Sequence, residues 1–159
     1  MKKRKVLFIA GIAALLLIVM GFVIGRINSD PEVSKDEIGF KIQLDLGEDI
    51  GLFIIYSDAN GETESGGVSN ADKSLIKKDD VLFWYLEKEY HEDLPDTVDM
   101  KLQFNIVTEY FDPNYENDYP EEYVIHLDEL SLKATFGELY KIRVTGDKTS
   151  GYKAILDKQ

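Results

Sequence analysis

The feature that most constrains this chain is an uncharged apolar run near its amino terminus, from Val6 to Gly25. The run comprises 20 residues and is rich in Leu, Ile, Val and Ala. As an α-helix that rises about 1.5 Å per residue, it would span about 30 Å, which is the hydrocarbon thickness of a bilayer. All of its backbone groups can bond within the helix, as lipid requires. The run therefore predicts one N-terminal transmembrane helix.

Four consecutive cations at residues 2–5 precede the run. Lys and Arg beside a spanning segment favour the cytoplasmic side, so the amino terminus is expected inside and the rest of the chain outside. The stretch that follows the run is polar, contains Pro31 and has no apolar period, which is typical of a tether. The sequence predicts a single-pass cell-membrane protein with a cytoplasmic tail (1–5), a signal anchor (6–25), a linker (26–37) and an extracytoplasmic domain (38–159).

Two other interpretations of the run remain open. A cleaved signal peptide has a shorter apolar core of about 7–15 residues and a small-x-small cleavage site, to which Val23-Ile24-Gly25 is a loose match. No Cys follows the run to carry a lipid anchor. A buried helix of a soluble domain would show a polar face, and no polar face interrupts this run. Length and missing cleavage chemistry favour the uncleaved anchor.

Composition excludes several classes of function. Beyond Arg26 the chain carries 13 basic and 30 acidic side chains, a net charge of −17. Because a body this acidic is repelled by phosphates, the sequence predicts no nucleic-acid partner. The absence of Cys excludes a disulfide framework, a zinc ribbon, an iron–sulfur site and a thiol nucleophile.

Apolar residues beyond the linker recur with period two. Residues 38–46 and 98–106 alternate apolar and polar side chains, which predicts half-buried strands with one wet face. Residues 50–57 and 81–87 are apolar on both faces, which predicts central strands. The remaining predicted strands cover 122–127, 130–136, 139–145 and 152–156.

These signals predict a mainly β fold, namely an immunoglobulin-like antiparallel β-sandwich of seven or eight strands. Asn60-Gly61 predicts a tight turn, because both residue types tolerate a positive φ. Without Cys, Trp84 is the candidate for a core Trp that packs without a disulfide. Residues 71–80 have some helical character but are too few to form a helical layer.

The search for catalytic residues predicts that this chain is not an enzyme. Its two His residues are His91, in an acidic connection, and His126, on the polar face of a predicted strand. The chain has no Gly-x-Ser-x-Gly, His-Glu-x-x-His, phosphate-loop or dinucleotide motif. An enzyme would require the fold to bring one His beside a Ser and a carboxylate.

The most distinctive segment is EYFDPNYENDYPEEY, residues 109–123, called here the acidic Tyr-rich segment. Six of its 15 residues are acids, five are aromatic and none is basic. Pro113 and Pro120 deny backbone donors to a strand ladder, so its middle is predicted to be a loop.

Three accounts of this segment compete. Its tyrosines could cap one end of the sandwich, with their rings buried and their hydroxyls exposed to solvent. It could instead be a recognition surface, because rings beside carboxylates suit cationic or sugar-bearing partners. The candidate binding residues are Tyr110, Phe111, Asp112, Tyr115, Glu116, Asp118 and Tyr119.

The third account is a calcium loop, since oxygen-bearing side chains occupy alternate positions. The match departs from the pattern at position six, which is Asn117 rather than Gly, and at position twelve, which is Tyr123 rather than Glu. The turn at residues 58–64 is a weaker calcium candidate. No other cofactor is predicted. The weak calcium candidates in the segment are Asp112, Asn114, Glu116 and Asp118.

The anchor followed by a strand-rich domain, with the stretches GGVSNADKS, EYFDPNYENDYPEEY and TGDKTSGYKA, resembles uncharacterised membrane-anchored extracytoplasmic immunoglobulin-like β-sandwich proteins of Gram-positive bacteria. The resemblance carries no active residue over to this chain. With the features above, it favours a binding domain that recognises an envelope component, such as a glycan, or another membrane protein. The alternative is a calcium-stabilised structural or adhesive surface domain.

Overall fold

The structure is a computed structural model that describes residues 30–90, 94–109 and 119–157. Within these residues the chain is almost entirely β-structure, with short 3₁₀ turns at Lys88–Tyr90 and Glu121–Tyr123. The strands are β1 (Glu37–Leu46), β2 (Leu52–Ala59), β3 (Glu62–Val68), β4 (Val81–Glu87), β5 (Thr97–Val107), β6 (Val124–His126), β7 (Leu130–Thr135), β8 (Leu139–Asp147) and β9 (Gly151–Leu156).

The strands form two sheets, as the predicted sandwich requires. Sheet 1 has four strands in the order β4-β1-β8-β9, and sheet 2 has five, with β3-β2-β5-β6 in order and β7 also paired to β5. The sequence predicted an antiparallel sandwich, but β1 and β8 pair in parallel. A parallel pair needs a long crossover. Here all five strands of sheet 2 lie between the two strands in sequence.

The buried core follows the period-two pattern. In β1 every second residue from Ile38 to Leu46 is buried, as predicted, and in β5 the same holds from Val98 to Ile106. Because alternate side chains of a strand point to opposite faces, the apolar set of each strand faces the other sheet. Phe53 and Phe104 stack with ring centroids 5.4 Å apart. Burial of this apolar surface is the main stabilising term of the domain.

The predicted turn at Asn60-Gly61 is confirmed and joins β2 to β3. Asn60 has φ 54° and Gly61 has φ 95°, as a tight hairpin turn requires. The backbone N–H of Gly61 donates to Asp58 Oδ1 at 2.7 Å, and Asn60 Oδ1 accepts from the backbone N–H of Asp99 at 3.1 Å. The strand after this turn, β3, was not predicted, because its sequence ETESGGV is polar and glycine-rich. Nine strands are therefore described, rather than seven or eight.

The position of β4 corrects a second prediction. Its sequence is apolar on both faces, which predicted a central strand, yet β4 lies at the edge of sheet 1 and pairs with β1 alone among the described strands. Trp84 points inward and packs against the core, with its ring 5.4 Å from that of Phe40. Phe83 points outward and is 41% exposed. β4 is therefore apolar on both faces although only its inner face is buried, and the apolar side chains of its outer face are exposed to solvent.

Residues 71–80 form turns rather than a helix. Ile76 pairs with Ile50 as an isolated bridge and is buried in the core. Lys77 Nζ lies 2.7 Å from Asp49 Oδ2, and the backbone N–H of Lys78 donates to Asp49 Oδ1 at 3.0 Å. The hydrogen bond from Lys77, followed by that from the Lys78 backbone, lowers the pKa of Asp49 below its ordinary value. These contacts attach the connection between β3 and β4 to the end of β1.

The chain divides into two compact units, Met1–Glu32 and Val33–Gln159. The core residues all lie in the second unit. The predicted membrane segment at residues 6–25 falls outside the described residues. Among the residues that are described, no helix is long and apolar enough to cross a membrane.

Candidate functional site

Most of the predicted site residues lie in the part of the chain that the structure leaves undescribed. The described part of the acidic Tyr-rich segment consists of Glu109 and residues 119–123. The residues that fall outside it are Tyr110, Phe111, Asp112, Asn114, Tyr115, Glu116 and Asp118. Tyr119 is therefore the one predicted binding residue whose surroundings can be examined.

Tyr119 lines a cleft on the outer face of sheet 2, called here the tyrosine cleft. The cleft has a volume of about 420 Å³. Tyr119 is half-buried, and Tyr56 of β2 is 42% exposed. The register of β2 and β3 pairs Tyr56 with Ser65 and Ile54 with Gly67. The lining residues are Leu52, Ile54, Tyr56, Ser65, Gly66, Gly67 and Tyr119.

Glycines shape the floor of this cleft. A Cβ added to Gly67 would lie 3.3 Å from Leu52 Cδ1, so the glycine leaves the Leu52 side chain room across the strand pair. Because residues 66 and 67 have no side chains, the backbone of β3 is accessible there to a ligand bound in the cleft. Tyrosine rings beside exposed backbone combine an apolar contact surface with hydrogen-bond donors and acceptors. This combination suits a ligand with both a ring face and polar groups.

The cleft was not predicted, although the sequence contained a signal for it. Leu52, Ile54 and Tyr56 occupy the outward positions of β2. An apolar outward face predicted only that β2 is central, and β2 does lie between β3 and β5. The same side chains line a surface cleft, because the outer face of sheet 2 carries no second layer among the described residues. Apolar side chains on both faces of a strand are thus consistent with burial or with a binding surface.

The C-terminal end of the acidic Tyr-rich segment is held to sheet 2 by backbone hydrogen bonds. The N–H of Tyr123 donates to the carbonyl of Pro120 at 2.9 Å and closes the 3₁₀ turn. The N–H of Thr108 donates to the carbonyl of Tyr123 at 2.9 Å. Thr108 follows β5 directly, so the segment leaves and rejoins the same side of the sandwich. These bonds keep Tyr119 beside sheet 2.

A polar cluster lies next to this attachment. His126 Nδ1 is 2.9 Å from Asn105 Oδ1, and His126 Nε2 is 3.1 Å from Glu121 Oε1. Asn105 is 6% exposed although it points away from the core, and its Oδ1 is engaged by this contact. The cluster joins β5 and β6 to the 3₁₀ turn.

This cluster does not make a hydrolytic triad. A serine hydrolase needs a hydroxyl within hydrogen-bond reach of the His. The hydrogen-bond partners of His126 in the described structure are an amide and a carboxylate, with no Ser or Thr hydroxyl among them. His91 lies outside the described residues. The prediction that the chain is not an enzyme therefore stays a prediction.

The calcium candidates in the acidic Tyr-rich segment also stay a prediction. Asp112, Asn114, Glu116 and Asp118 lie outside the described residues. In the weaker candidate turn at residues 58–64, Asp58 Oδ1 accepts the N–H of Gly61, which accounts for the carboxylate through the turn itself. Across residues 30–90, 94–109 and 119–157, no three His, Asp or Glu side chains are grouped so that they could hold a metal ion.

A second, wider cleft of about 510 Å³ lies at the other end of sheet 2. Both of its lysines are in ion pairs: Lys133 Nζ lies 3.5 Å from Asp99 Oδ1 in the cleft, and Lys101 Nζ lies 3.5 Å from Oε1 of Glu129 beside it. Exposed pairs of this kind contribute little stability. Asp58 and Asn60 of the weaker calcium candidate line this cleft, but none of the candidate binding residues does, so the tyrosine cleft is the better candidate for the predicted binding site.

Comparisons with known proteins identify no family. No family model and no curated protein matches the sequence. Among solved structures, the membrane-binding domain of pneumolysin is 6% identical with a TM-score of 0.39, covering 77% of this chain and 97% of that one. Listeriolysin O is 9% identical with a TM-score of 0.37 and coverages of 77% and 23%. The human-specific toxin intermedilysin is 8% identical with a TM-score of 0.35 and coverages of 77% and 24%.

This chain spans about a quarter of the length of the complete toxins. With every one of these TM-scores below 0.5, the likeness carries no argument about fold or function.

Proposed function

We propose that this chain is a membrane-anchored extracytoplasmic binding domain that recognises an envelope component or another membrane protein through the acidic Tyr-rich segment. The observation that carries the proposal is that Tyr119, the described member of the predicted binding set, lines a surface cleft with Tyr56. Binding functions are often found on loops that a rigid scaffold positions. The two-sheet sandwich provides such a scaffold.

The chemistry around the cleft supports a particular kind of ligand. Glu109, Glu121 and Glu122 are exposed at the two described ends of the segment. Carboxylates beside aromatic rings attract cations through charge pairing and cation–π contacts, and rings also stack on sugars. We propose a partner that presents a cationic group or a sugar ring to Tyr119. The acids would steer it and the tyrosines would hold it.

Membrane attachment belongs to the same proposal. It rests on the 20-residue uncharged run and the cations that precede it. The finer, immunoglobulin-like description of the sandwich also remains part of the proposal. Alkaline extraction of membranes tests attachment, because a spanning helix keeps the chain in the pellet whereas a peripheral protein is released. Recovery of the full chain among cytosolic contents would contradict this part of the proposal.

The binding site is tested by alanine substitution in the full chain. Detergent-solubilised chain carrying Tyr115→Ala and Tyr119→Ala is used as bait for sedimented envelope material and for solubilised membrane proteins. Capture is expected to fall at least tenfold, since aromatic residues dominate the energy of many interfaces. Tyr90→Ala is the matched control, because Tyr90 is an exposed tyrosine in a different 3₁₀ turn.

Thermal unfolding separates binding from folding in this experiment. Under the proposal, the double variant unfolds within a few degrees of the unsubstituted chain. Unchanged capture would contradict the proposal. A large fall in unfolding temperature, with capture by the remaining folded chain intact, would instead show that these tyrosines cap the sandwich.

A further inference from the structure

Three clefts follow one another along the outer face of sheet 2. The tyrosine cleft and a middle cleft of about 200 Å³ share Tyr56 as their boundary. The middle cleft and the wider cleft of about 510 Å³ share Asp58 and Lys101. Because adjoining clefts have lining residues in common, the three form one continuous depression, called here the sheet 2 groove.

The groove follows the direction of β2. Leu52 lies at its tyrosine end and Asn60 at its other end, with Tyr56 and Asp58 between them. At about 3.3 Å per residue, the path from Leu52 to Asp58 alone is about 20 Å long. This length is several times the width of one sugar ring or one amino-acid side chain. The groove therefore suits a linear polymer better than a small compact ligand.

Strand register places neutral polar groups on both sides of the groove. Tyr56 of β2 lies between Ser65 of β3 and Gln103 of β5. Further along, the groove is bordered by Thr63 of β3 on one side and by Ser131 of β7 on the other. All four polar side chains are exposed. Hydroxyl and amide groups both donate and accept hydrogen bonds, so they can pair with the hydroxyls of a sugar.

Aromatic rings occupy one end of the groove. Tyr56 stands where the tyrosine cleft meets the middle cleft and is 42% exposed, and Tyr119 lines the tyrosine cleft beside it. A sugar ring has an apolar face of C–H groups and a rim of hydroxyls. The apolar face packs on an aromatic ring, while the hydroxyls reach polar groups at the side. Rings flanked by hydroxyls and an amide match this pattern.

The charged side chains of the groove leave little to attract a charged ligand. Lys101 and Lys133 are in the two ion pairs described above. Asp58 accepts a backbone N–H of the hairpin turn at 2.7 Å. Glu64 pairs in register with Ser57, which points into the core, so its side chain leaves β3 on the inner side. A charged ligand would have to displace existing partners, whereas an uncharged ligand leaves them intact.

We propose that the sheet 2 groove binds a linear, uncharged oligosaccharide chain, with one sugar ring packed on Tyr56 and the following rings lying along β2 towards Asn60. The inference rests on the proposed function, because it names the class of ligand that the tyrosine cleft receives. It extends the site from Tyr119 to the far end of sheet 2. The neutral groups on β3, β5 and β7 hold the chain by hydrogen bonds.

Titration of the full chain with oligosaccharides tests the inference. The probes are unbranched, uncharged oligomers of glucose, N-acetylglucosamine and mannose, each from the disaccharide to the hexasaccharide. The protein is kept in micelles of a detergent without a sugar headgroup, and calorimetry extends to about 10 mM oligosaccharide, which detects millimolar dissociation constants. In at least one series, the dissociation constant is expected to fall about tenfold or more with increasing length, because longer oligomers contact more of the groove.

Two variants locate the bound chain. Tyr56→Ala is expected to raise the dissociation constant of the hexasaccharide about tenfold or more, because it removes the central ring. Phe83→Ala is the matched control, since Phe83 is 41% exposed on the outer face of sheet 1. Ser131→Ile obstructs the wider cleft, so it is expected to weaken binding of the hexasaccharide and to leave that of the disaccharide unchanged. Thermal unfolding verifies that all three variants are folded.

Four results would overturn the inference. The first is that none of the three series binds, and the second is an affinity that does not increase with chain length. The third is an equal effect of Tyr56→Ala and Phe83→Ala. The fourth is a Ser131→Ile variant that binds the hexasaccharide as tightly as the unsubstituted chain does.

Hexalysine is titrated in parallel as a cationic chain. Binding of hexalysine that depends on Tyr56, without binding of any oligosaccharide, would assign the groove to cationic polymers and overturn the inference. Capture of envelope material that depends on Tyr119, with no oligosaccharide bound, would also overturn it and leave the proposed function standing. Oligosaccharide binding that depends on Tyr56, without such capture, would support the groove and contradict the role proposed for the acidic Tyr-rich segment.

Discussion

Trp84 of β4 packs over Gly66 of β3, so that a Cβ added to Gly66 would stand 3.3 Å from the indole Nε1. The two strands belong to different sheets, and each is an edge strand of its sheet. The indole of Trp84 thus connects the two sheets along one side of the sandwich. Gly66, which it packs over, also lines the tyrosine cleft. The core of the domain and its candidate site share this residue.

Replacing Gly66 with Leu is expected to lower the free energy of unfolding by about 1–3 kcal/mol, because added methylenes in a packed interior force neighbours into strained rotamers. The emission of Trp84, the single Trp of the chain, follows the change during thermal unfolding. Thr63→Leu, at an exposed position of the same strand, is the control and should change stability by no more than about 0.5 kcal/mol. Equal effects of both substitutions would contradict the packing described for Trp84.

Ser57→Ala is expected to stabilise the domain. Ser57 is 4% exposed and points into the core, and its hydroxyl has no hydrogen-bond partner among the described residues. Leaving a buried polar group unsatisfied costs about 1–3 kcal/mol, so its removal should raise the free energy of unfolding by about 1 kcal/mol. Denaturant unfolding measures the change, with the exposed Ser65→Ala as control. A loss of stability would show that the hydroxyl has a partner.

Stability at alkaline pH is expected to depend on Tyr152. Its hydroxyl donates to Glu48, which also accepts the backbone N–H of Lys148 at 3.0 Å. Burial, reinforced by this hydrogen bond and the carboxylate charge, raises the pKa of Tyr152 above its ordinary value. A raised pKa means that the stabilising contribution is present below about pH 10 and is lost as pH rises further.

The measurement is the unfolding temperature of the unsubstituted chain and of Tyr152→Phe from pH 8 to pH 11. The unsubstituted chain is expected to be the more stable at pH 8, and the difference should narrow as the pH rises above about 10. Tyr140 also has a raised pKa, caused by burial and then by its bond to Glu138, but it is common to both samples. A difference that is constant with pH would contradict the assignment.

Calcium is expected to leave the unfolding temperature unchanged. A metal that binds only the folded state raises its stability by mass action. The candidate loop lacks the glycine and the bidentate glutamate of a calcium loop, having Asn117 and Tyr123 at those positions. Unfolding of the full chain in millimolar calcium and in chelator decides the point. A higher midpoint in calcium would favour the structural or adhesive alternative.

Local sequence patterns predicted the elements in which the order of apolar and polar residues along the chain determines which side chains are buried. The alternation at residues 38–46 and 98–106 predicted β1 and β5 and their buried sides, because a period of two fixes which side chains face the core. The Asn60-Gly61 turn was predicted for an equally local reason, since few residue types accept a positive φ. No comparable local pattern marked β3, whose seven residues are held in place by pairing with β2.

Apolar content on both faces was ambiguous for a physical reason. It predicted two central strands, and β2 is central whereas β4 is an edge strand. Strand order depends on pairing between residues far apart in sequence, such as β1 with β8, and hydrophobicity along one strand carries no information about that pairing. The outward Phe83 of β4 and Tyr56 of β2 are both about two-fifths exposed, and they lie on the outer faces of different sheets.

The sequence by itself determined the class of fold and the uneven distribution of charge, because side-chain alternation and composition are properties of the chain before it folds. It also identified the acidic Tyr-rich segment and its Tyr119. Only the tertiary structure decided that Tyr119 lies beside Tyr56 and that Trp84 of one sheet packs over Gly66 of the other. Both arrangements depend on long-range strand pairing and register, which place residues distant in sequence next to one another.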